Sequence, residues 1–285
     1  MHGVTKLKIF ILIFIISIFS FASNSNFQKK ELTVAYEALE KKDYGKAKEI
    51  YLKSCEEGDF ISCNTLGYIH YVQKNYNKAS KFYSKACNGE VFMACHSLSF
   101  LYRQGLGVWE NSSKTVELLL KACDGAELNS CNTLGVIYYN GYEVSRDYAE
   151  AIKYFSRSCM FEEGFACNML AEMYKKGFAD EKDIIKAMEF YKKACDSNVG
   201  SACSNIALIL IQNNNSKVEN REINNLFQKA CNLNYGIGCL NLGYRYEIGD
   251  ENSINKAKEL FKKACEYGET KGCNLFNELN ENISN

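Results

Sequence analysis

Fourteen cysteines are set along 285 residues at a spacing that leaves little freedom of fold. They form seven pairs, Cys55/Cys63, Cys87/Cys95, Cys123/Cys131, Cys159/Cys167, Cys195/Cys203, Cys231/Cys239 and Cys265/Cys273, each with seven residues between its members. The step from pair to pair is 32, 36, 36, 36, 36 and 34 residues. A fixed period in this range marks a repeat architecture, in which each unit buries its apolar face only by stacking on its neighbours.

Each period reads as two helices. Ahead of the first cysteine, Lys78-Ala79-Ser80-Lys81-Phe82-Tyr83-Ser84-Lys85-Ala86-Cys87 recurs as Lys186-Ala187-Met188-Glu189-Phe190-Tyr191-Lys192-Lys193-Ala194-Cys195, with apolar positions three, four and seven apart. Following the second cysteine, Cys63-Asn64-Thr65-Leu66-Gly67-Tyr68-Ile69 recurs as Cys131-Asn132-Thr133-Leu134-Gly135-Val136-Ile137. Four places after that cysteine stand Gly67, Ser99, Gly135, Ala171, Ala207 and Gly243, whose small size is expected to let two helix backbones approach. These glycines lie inside helices rather than ahead of them, which removes a phosphate cradle as their role. The expected fold is all-α: a right-handed α-solenoid of stacked antiparallel helix pairs, tetratricopeptide-like and stapled by disulfides. Residues 31–270 are assigned to seven helix-pair repeats, the opening one lacking a cysteine in its first helix, and 271–285 to a polar capping helix and tail. Length varies only in the loops, from Gln73-Lys74-Asn75 to the stretches Arg103 to Val108 and Tyr139 to Val144. The Asn-rich stretch from Gln212 to Asn220 is expected to be the most mobile of these loops.

The first 22 residues have the organisation of a signal peptide: Lys6 and Lys8, then the apolar run Ile9 to Phe21, then Ser20-Phe21-Ala22 with small residues at the two positions a signal peptidase reads. The run is short of the roughly 20 residues a spanning helix needs. Residues 23–30 are assigned to a linker, and the mature chain is expected to be exported, periplasmic or secreted, with no membrane association after cleavage. A formal charge of zero argues against a nucleic-acid partner.

Three states of the cysteines compete. Zinc would want ligands two to four residues apart, or two pairs converging on one ion, so no metal is expected. Free buried thiols would suit a cytosolic solenoid, but the leader points to an oxidising compartment. In a continuous helix the two members of a pair would lie about 12 Å apart, too far to bridge. Each interval holds a glycine, however: Gly58, Gly89, Gly125, Gly164, Gly200, Gly236 or Gly268. A reversal there would set one cysteine on the last turn of a helix against its partner on the first turn of the next. Seven local disulfides are expected: Cys55–Cys63, Cys87–Cys95, Cys123–Cys131, Cys159–Cys167, Cys195–Cys203, Cys231–Cys239 and Cys265–Cys273.

These residues resemble the Sel-one-like repeat, a relative of the tetratricopeptide repeat. The motif is Ala-Cys-x-x-Leu-Gly with a tyrosine, a glycine-containing loop, then Lys-Ala-x-x-x-Tyr-x-Lys-Ala-Cys, and the likeness runs over residues 31–279. With a leader and one cysteine pair per repeat, the chain is similar to the Helicobacter cysteine-rich protein family. That resemblance implies penicillin binding and weak β-lactamase activity, with a β-lactam or a peptidoglycan-like amide as ligand.

The residues themselves offer little for that chemistry. The chain has one Ser-x-x-Lys, Ser253-Ile254-Asn255-Lys256, at the start of a helix, where Ser253 reads as an N-cap. Lys-Thr-Gly is missing, and Ser62-Cys63-Asn64 and Ser130-Cys131-Asn132 are by-products of the repeat. His2 leaves with the leader, and His70 and His96 stand apart from each other. Glu56-Glu57 and Glu162-Glu163 fall in turns. No catalytic residue is assigned and no cofactor is expected.

Binding has a clearer address. The residues after each second cysteine are Asn64, His96, Asn132, Asn168, Ser204, Leu240 and Asn274, and the first four form a candidate column on the concave face. An amide offers donor and acceptor to the backbone of an extended peptide. Alternatively these side chains hydrate the groove or bond a neighbouring helix. Tyr102, Tyr138, Tyr174 and Tyr246, with Phe82, Tyr154 and Phe190, read as inter-repeat packing. Trp109 is either a contact residue or a loop anchor. The function is therefore expected to be either penicillin binding with slow β-lactam hydrolysis or non-catalytic capture of a peptide or protein partner, by a monomer.

Overall fold

The computed structural model describes residues 30–178, 180–212, 220–247 and 251–283. The expected leader (1–22), nearly all of the linker, the heart of the Asn-rich stretch and the last two residues of the tail lie outside them.

All regular structure among the described residues is helical. The helices are α1 (30–40), α2 (Tyr44–Glu56), α3 (Phe60–Val72), α4 (Tyr76–Asn88), α5 (Phe92–Gln104), α6 (Ser112–Asp124), α7 (Leu128–Asn140) and α8 (Tyr148–Cys159). They continue as α9 (Gly164–Lys176), α10 (Ile184–Asp196), α11 (Gly200–Gln212), α12 (Asn220–Asn232), α13 (Gly236–Glu247), α14 (Glu251–Glu266) and α15 (Thr270–Ile283). The chain divides after Glu127 into two compact units. Within each unit helices adjacent in sequence pack on one another, as the short connections require. The core of the first unit is built from Ala47, Tyr51, Leu66, Ile69, Tyr83 and Leu101, and that of the second around Phe155, Leu170, Met173, Tyr191, Phe227 and Phe261.

Four of the helices that precede a cysteine pair start at a side-chain cap, whereas Asn75 ahead of α4 makes no such bond. Asp43, Asn111, Asp147 and Asp183 each accept a bond from the backbone N–H three residues on, at 2.9–3.2 Å, satisfying a donor that the helix leaves open. The lysine two places before the cysteine ties repeats together. Lys85 Nζ donates to the Cys55 carbonyl at 2.8 Å and Lys121 Nζ to that of Cys87 at 2.9 Å. Each puts a cation on the C-terminal end of the previous repeat's helix, where unpaired carbonyls and the helix dipole favour it.

Six cysteine pairs are bridged as expected, with Cα–Cα distances of 4.5–4.8 Å. Cys123 and Cys131 are disulfide-bonded as well, and no cysteine is free among the described residues.

The seven glycines between the cysteines do not share the turning role expected of them. Only Gly58 and Gly268 have positive φ, +100° and +87°. In the other intervals the left-handed residue is Glu90, Ala126, Glu162, Asn198 or Asn234, at φ 60–64°. The remaining glycines make room for the adjacent repeat. Gly89 and Gly125 lie under the rings of Phe60 and Phe92, where a Cβ would collide. In the second unit the relation is reversed: Gly164, Gly200 and Gly236 open α9, α11 and α13, and the bulk comes from the next repeat, as with Val199 against Gly164 and Tyr235 against Gly200. One large and one small residue meet in either sense, which keeps the spacing between repeats. Dense packing demands such complementarity.

The small residues inside the helices also act differently from the expectation. A Cβ on Gly67 would stand 2.5 Å from the Tyr83 ring, one on Gly135 2.6 Å from Phe155 and one on Gly243 2.5 Å from Phe261. An aromatic side chain of the following helix fills the notch, rather than its backbone.

Candidate functional site

The residue after each second cysteine lies in the first turns of a helix, beside the bridged sulfur. In the first unit Asn64 on α3 borders a cavity of about 290 Å³ with Tyr36, Tyr51, Tyr68, Tyr83 and Ser97. Burial pushes the Tyr83 phenol up to about 12, and a hydrogen bond with Ser97 pulls against that rise. His96 on α5 has a carboxylate beside it: its Nδ1 is 3.5 Å from Glu127 Oε2.

In the second unit Asn132 and Asn168 hold the same place on α7 and α9, both half-buried. Ser204 and Leu240 are buried, and Asn274 is exposed. The Oδ1 atoms of Asn64, Asn132 and Asn168 and the Ser204 Oγ share a property: each is buried and accepts no hydrogen bond from the protein. A tie to a neighbouring helix through these oxygens would appear as a bond that they accept, and they accept none. Buried polar atoms are nearly always satisfied, and one left without a partner costs about 1–3 kcal/mol.

One turn beyond Asn168, on the same face of α9, stands a cluster not anticipated from the sequence. Glu172 Oε1 accepts from Lys175 Nζ (2.8 Å), from Asn205 Nδ2 (3.1 Å) and from the Tyr191 hydroxyl, and Lys176 Nζ lies 3.6 Å from Oε2. Burial acts to raise the Glu172 carboxyl, but the hydrogen bonds of Lys175 and Tyr191 and the two ammonium charges outweigh it, so it titrates below its ordinary range. The same carboxylate, with burial, pushes the Tyr191 phenol far up. A signal existed: the places equivalent to Glu172 hold Tyr68, Phe100, Val136, Leu208 and Tyr244, so a charge there breaks the pattern.

Helix α14 begins at Glu251, which places Ser253 inside its first turn rather than at the N-cap. Lys256 Nζ sits over the Tyr246 ring, 5.5 Å from its centroid. No group of three or more metal-ligating side chains occurs among the described residues, and no described helix is long and apolar enough to cross a membrane. Trp109, in the loop between α5 and α6, is 92% exposed, so it anchors nothing within the chain.

A search of curated protein sequences found no match. Among solved structures, a Sel1 repeat protein from Oxalobacter formigenes is similar, with 18% identity over 82% of this chain and 99% of that one and a TM-score of 0.69. A protective antigen of uropathogenic Escherichia coli with an SLR fold is 19% identical, covering 90% of this chain and 65% of that one, with a TM-score of 0.53. Helicobacter pylori cysteine rich protein B is 28% identical over 46% of this chain and 96% of its own, with a TM-score of 0.37. The Sel1 repeat model matches residues 35–59, 63–90, 92–126, 129–160, 164–199 and 236–268. These segments span most of the described helix pairs, and the sequence motif and the stacked helices agree with them: the chain belongs to the Sel1 repeat family.

Proposed function

We propose that this chain is an exported, non-catalytic scaffold that binds an extended segment of a partner protein on the face of the second unit that carries Asn132 and Asn168; Asn64 offers the same chemistry within the first unit. The observation that carries this reading is the set of buried carboxamide oxygens without an internal partner at one repeat position. Rotation about χ2 costs these oxygens no internal hydrogen bond, so each amide is free to meet a peptide N–H or C=O. Sel1 repeat proteins generally act as scaffolds for protein partners, which supports the same reading. Complete pairing of the cysteines supports an oxidising, exported location.

The reading drawn from resemblance alone, penicillin binding with slow β-lactam hydrolysis, finds less support. Its serine is half-buried, and the lysine one turn on is engaged by an aromatic ring.

Selection of a displayed random-peptide library on the oxidised protein tests the proposal. Linear peptides should be enriched, and Asn132→Ala/Asn168→Ala should weaken them about tenfold or more, as loss of two to four hydrogen bonds implies. Failure to enrich any peptide, together with nitrocefin turnover proportional to protein and absent from mock preparations, would replace the scaffold by the hydrolase.

A further inference from the structure

A groove between the second helices of successive repeats occurs in both units on one framework but with different chemistry. In the second unit it lies over α11 between α10 and α12 and measures about 590 Å³. Its walls carry Met188 and Leu226, Leu210 lies beneath them, and Glu189, Asp196 and Glu222 offset Lys192 and Lys229. In the first unit it lies over α3 between α2 and α4 and measures about 620 Å³. Counted from the nearest cysteine, Lys48 there stands for Met188, Lys78 for Glu222 and His70 for Leu210. Lys81 and Lys85 complete the rim, against Glu49. Four cations thus face one carboxylate in a chain of zero formal charge. Among the described residues none of Lys48, Lys78 and Lys81 forms an ion pair, whereas Lys85 is held by the Cys55 carbonyl and Lys48 reaches Gln73 Oε1 at 3.3 Å. Leu52, Leu66 and Phe82 keep the interior apolar.

His70 marks the specialisation. Tyrosine holds its place in four other repeats, and His70 stacks on Phe82 (5.4 Å, 5°) as Tyr174 does on Phe190 (5.5 Å, 9°). Packing therefore does not call for an imidazole. His70 is 8% exposed, and its Nδ1 is buried without a hydrogen-bond partner. Burial first, then Lys48 and Lys78, hold its pKa below the usual histidine value. The ionisable groups lining the cleft around it are Lys48 and Glu49 from α2 and Lys78, Lys81 and Lys85 from α4.

We propose that this cleft in the first unit binds a small carboxylate with an apolar body, its charged group among Lys48, Lys78 and Lys81 and its body on Leu52, Leu66 and Phe82. The volume falls within the range of small-ligand sites, which are mostly apolar with a few fixed polar groups. Helical spacing puts His70 and Leu66 on a different side of α3 from Asn64, so the site is separate from the peptide face and does not rest on that reading.

Calorimetric titration of the oxidised full chain with decanoate, and with decyltrimethylammonium as its cationic counterpart, tests the proposal. One decanoate per chain should bind and the cation should not. K48M/K78E, which installs the residues of the second unit, should weaken decanoate about tenfold or more. His70→Tyr should fold, as tyrosine does elsewhere in the chain. In the unmodified protein decanoate should raise the pH at which the His70 ring resonances titrate, because a bound anion favours imidazolium. Raising salt from about 0.05 to about 0.5 M should weaken decanoate binding, an independent reading if K48M/K78E does not fold. Equal binding of the two amphiphiles, unchanged affinity in K48M/K78E, or preference for a glutamate-rich peptide over decanoate would overturn the assignment.

Discussion

Removing the Cys195–Cys203 bridge tests how far this fold depends on its staples. The residues are separated by eight positions and close a loop of about nine residues between α10 and α11. In the chain-entropy model such a loop restricts the unfolded state by about 2.6 kcal/mol at 25 °C. Both sulfurs are buried, Cys195 3% exposed and Cys203 fully covered, so Cys195→Ala/Cys203→Ala also leaves a small void. The combined loss should be about 2.5–4 kcal/mol, read by urea unfolding as a fall in midpoint with the slope retained. Cys265→Ala/Cys273→Ala is the internal control. Its bridge joins α14 to α15, which packs on α13 and α14 at the end of the second unit. Loss there should release α15 to hydrogen exchange and cost the main transition less than about 1 kcal/mol, because repeat stability propagates through neighbours. A central substitution costing under about 0.5 kcal/mol, or equal effects at the two sites, would refute the reasoning.

Gly135→Val sets side-chain atoms into the Phe155 ring, closer than the roughly 3.5 Å at which carbons repel, and should cost about 1–3 kcal/mol in thermal melts. Phe155→Leu should restore part of it, since the smaller side chain leaves room in the notch, and the repeat places equivalent to Gly135 and Phe155 hold Ser99 and Leu119. The Glu172 carboxyl titrates below its unfolded value, so its stabilisation is present above about pH 4.3 and is lost as pH falls through the folded pKa. Glu172→Gln should lower stability at pH 7 and flatten the acid limb of a stability–pH curve. His70 has the opposite consequence as a base: its lowered pKa makes the unfolded state bind the proton more readily, so stability falls as pH drops below about 6.5, and His70→Tyr should remove that slope. Trp109→Ala should change stability by no more than about 0.5 kcal/mol, given its exposure.

Much of the architecture is legible in the spacing of the cysteines, because a covalent pair per repeat fixes where one helix must end and the next begin. The aromatics expected to pack between repeats instead pair the two helices of one repeat, as in Tyr174–Phe190 and Tyr138–Tyr154. The glycines were less legible. Gly58, Gly89 and Gly164 look equivalent as punctuation between two cysteines, yet they sit three, two and five places after the first, and only the first of them turns the chain. What Gly89 and Gly164 accommodate lies in an adjacent repeat, about 30 residues away, and only three-dimensional contact reveals it. Glu172 was missed because its partners Tyr191 and Asn205 come from two later helices. His70 was visible as an exception among tyrosines, but the lysines that give it meaning belong to α2 and α4.

The peptide-binding account is tested most directly by the side-chain amide resonances of Asn64, Asn132 and Asn168 in uniformly ¹⁵N-labelled, oxidised protein, recorded with and without a library-selected peptide. The account predicts saturable shifts at Asn132 and Asn168, with Asn274 and the His70 cleft unmoved. Saturable binding that shifts the cleft or distant surfaces and leaves Asn132 and Asn168 unchanged would contradict it.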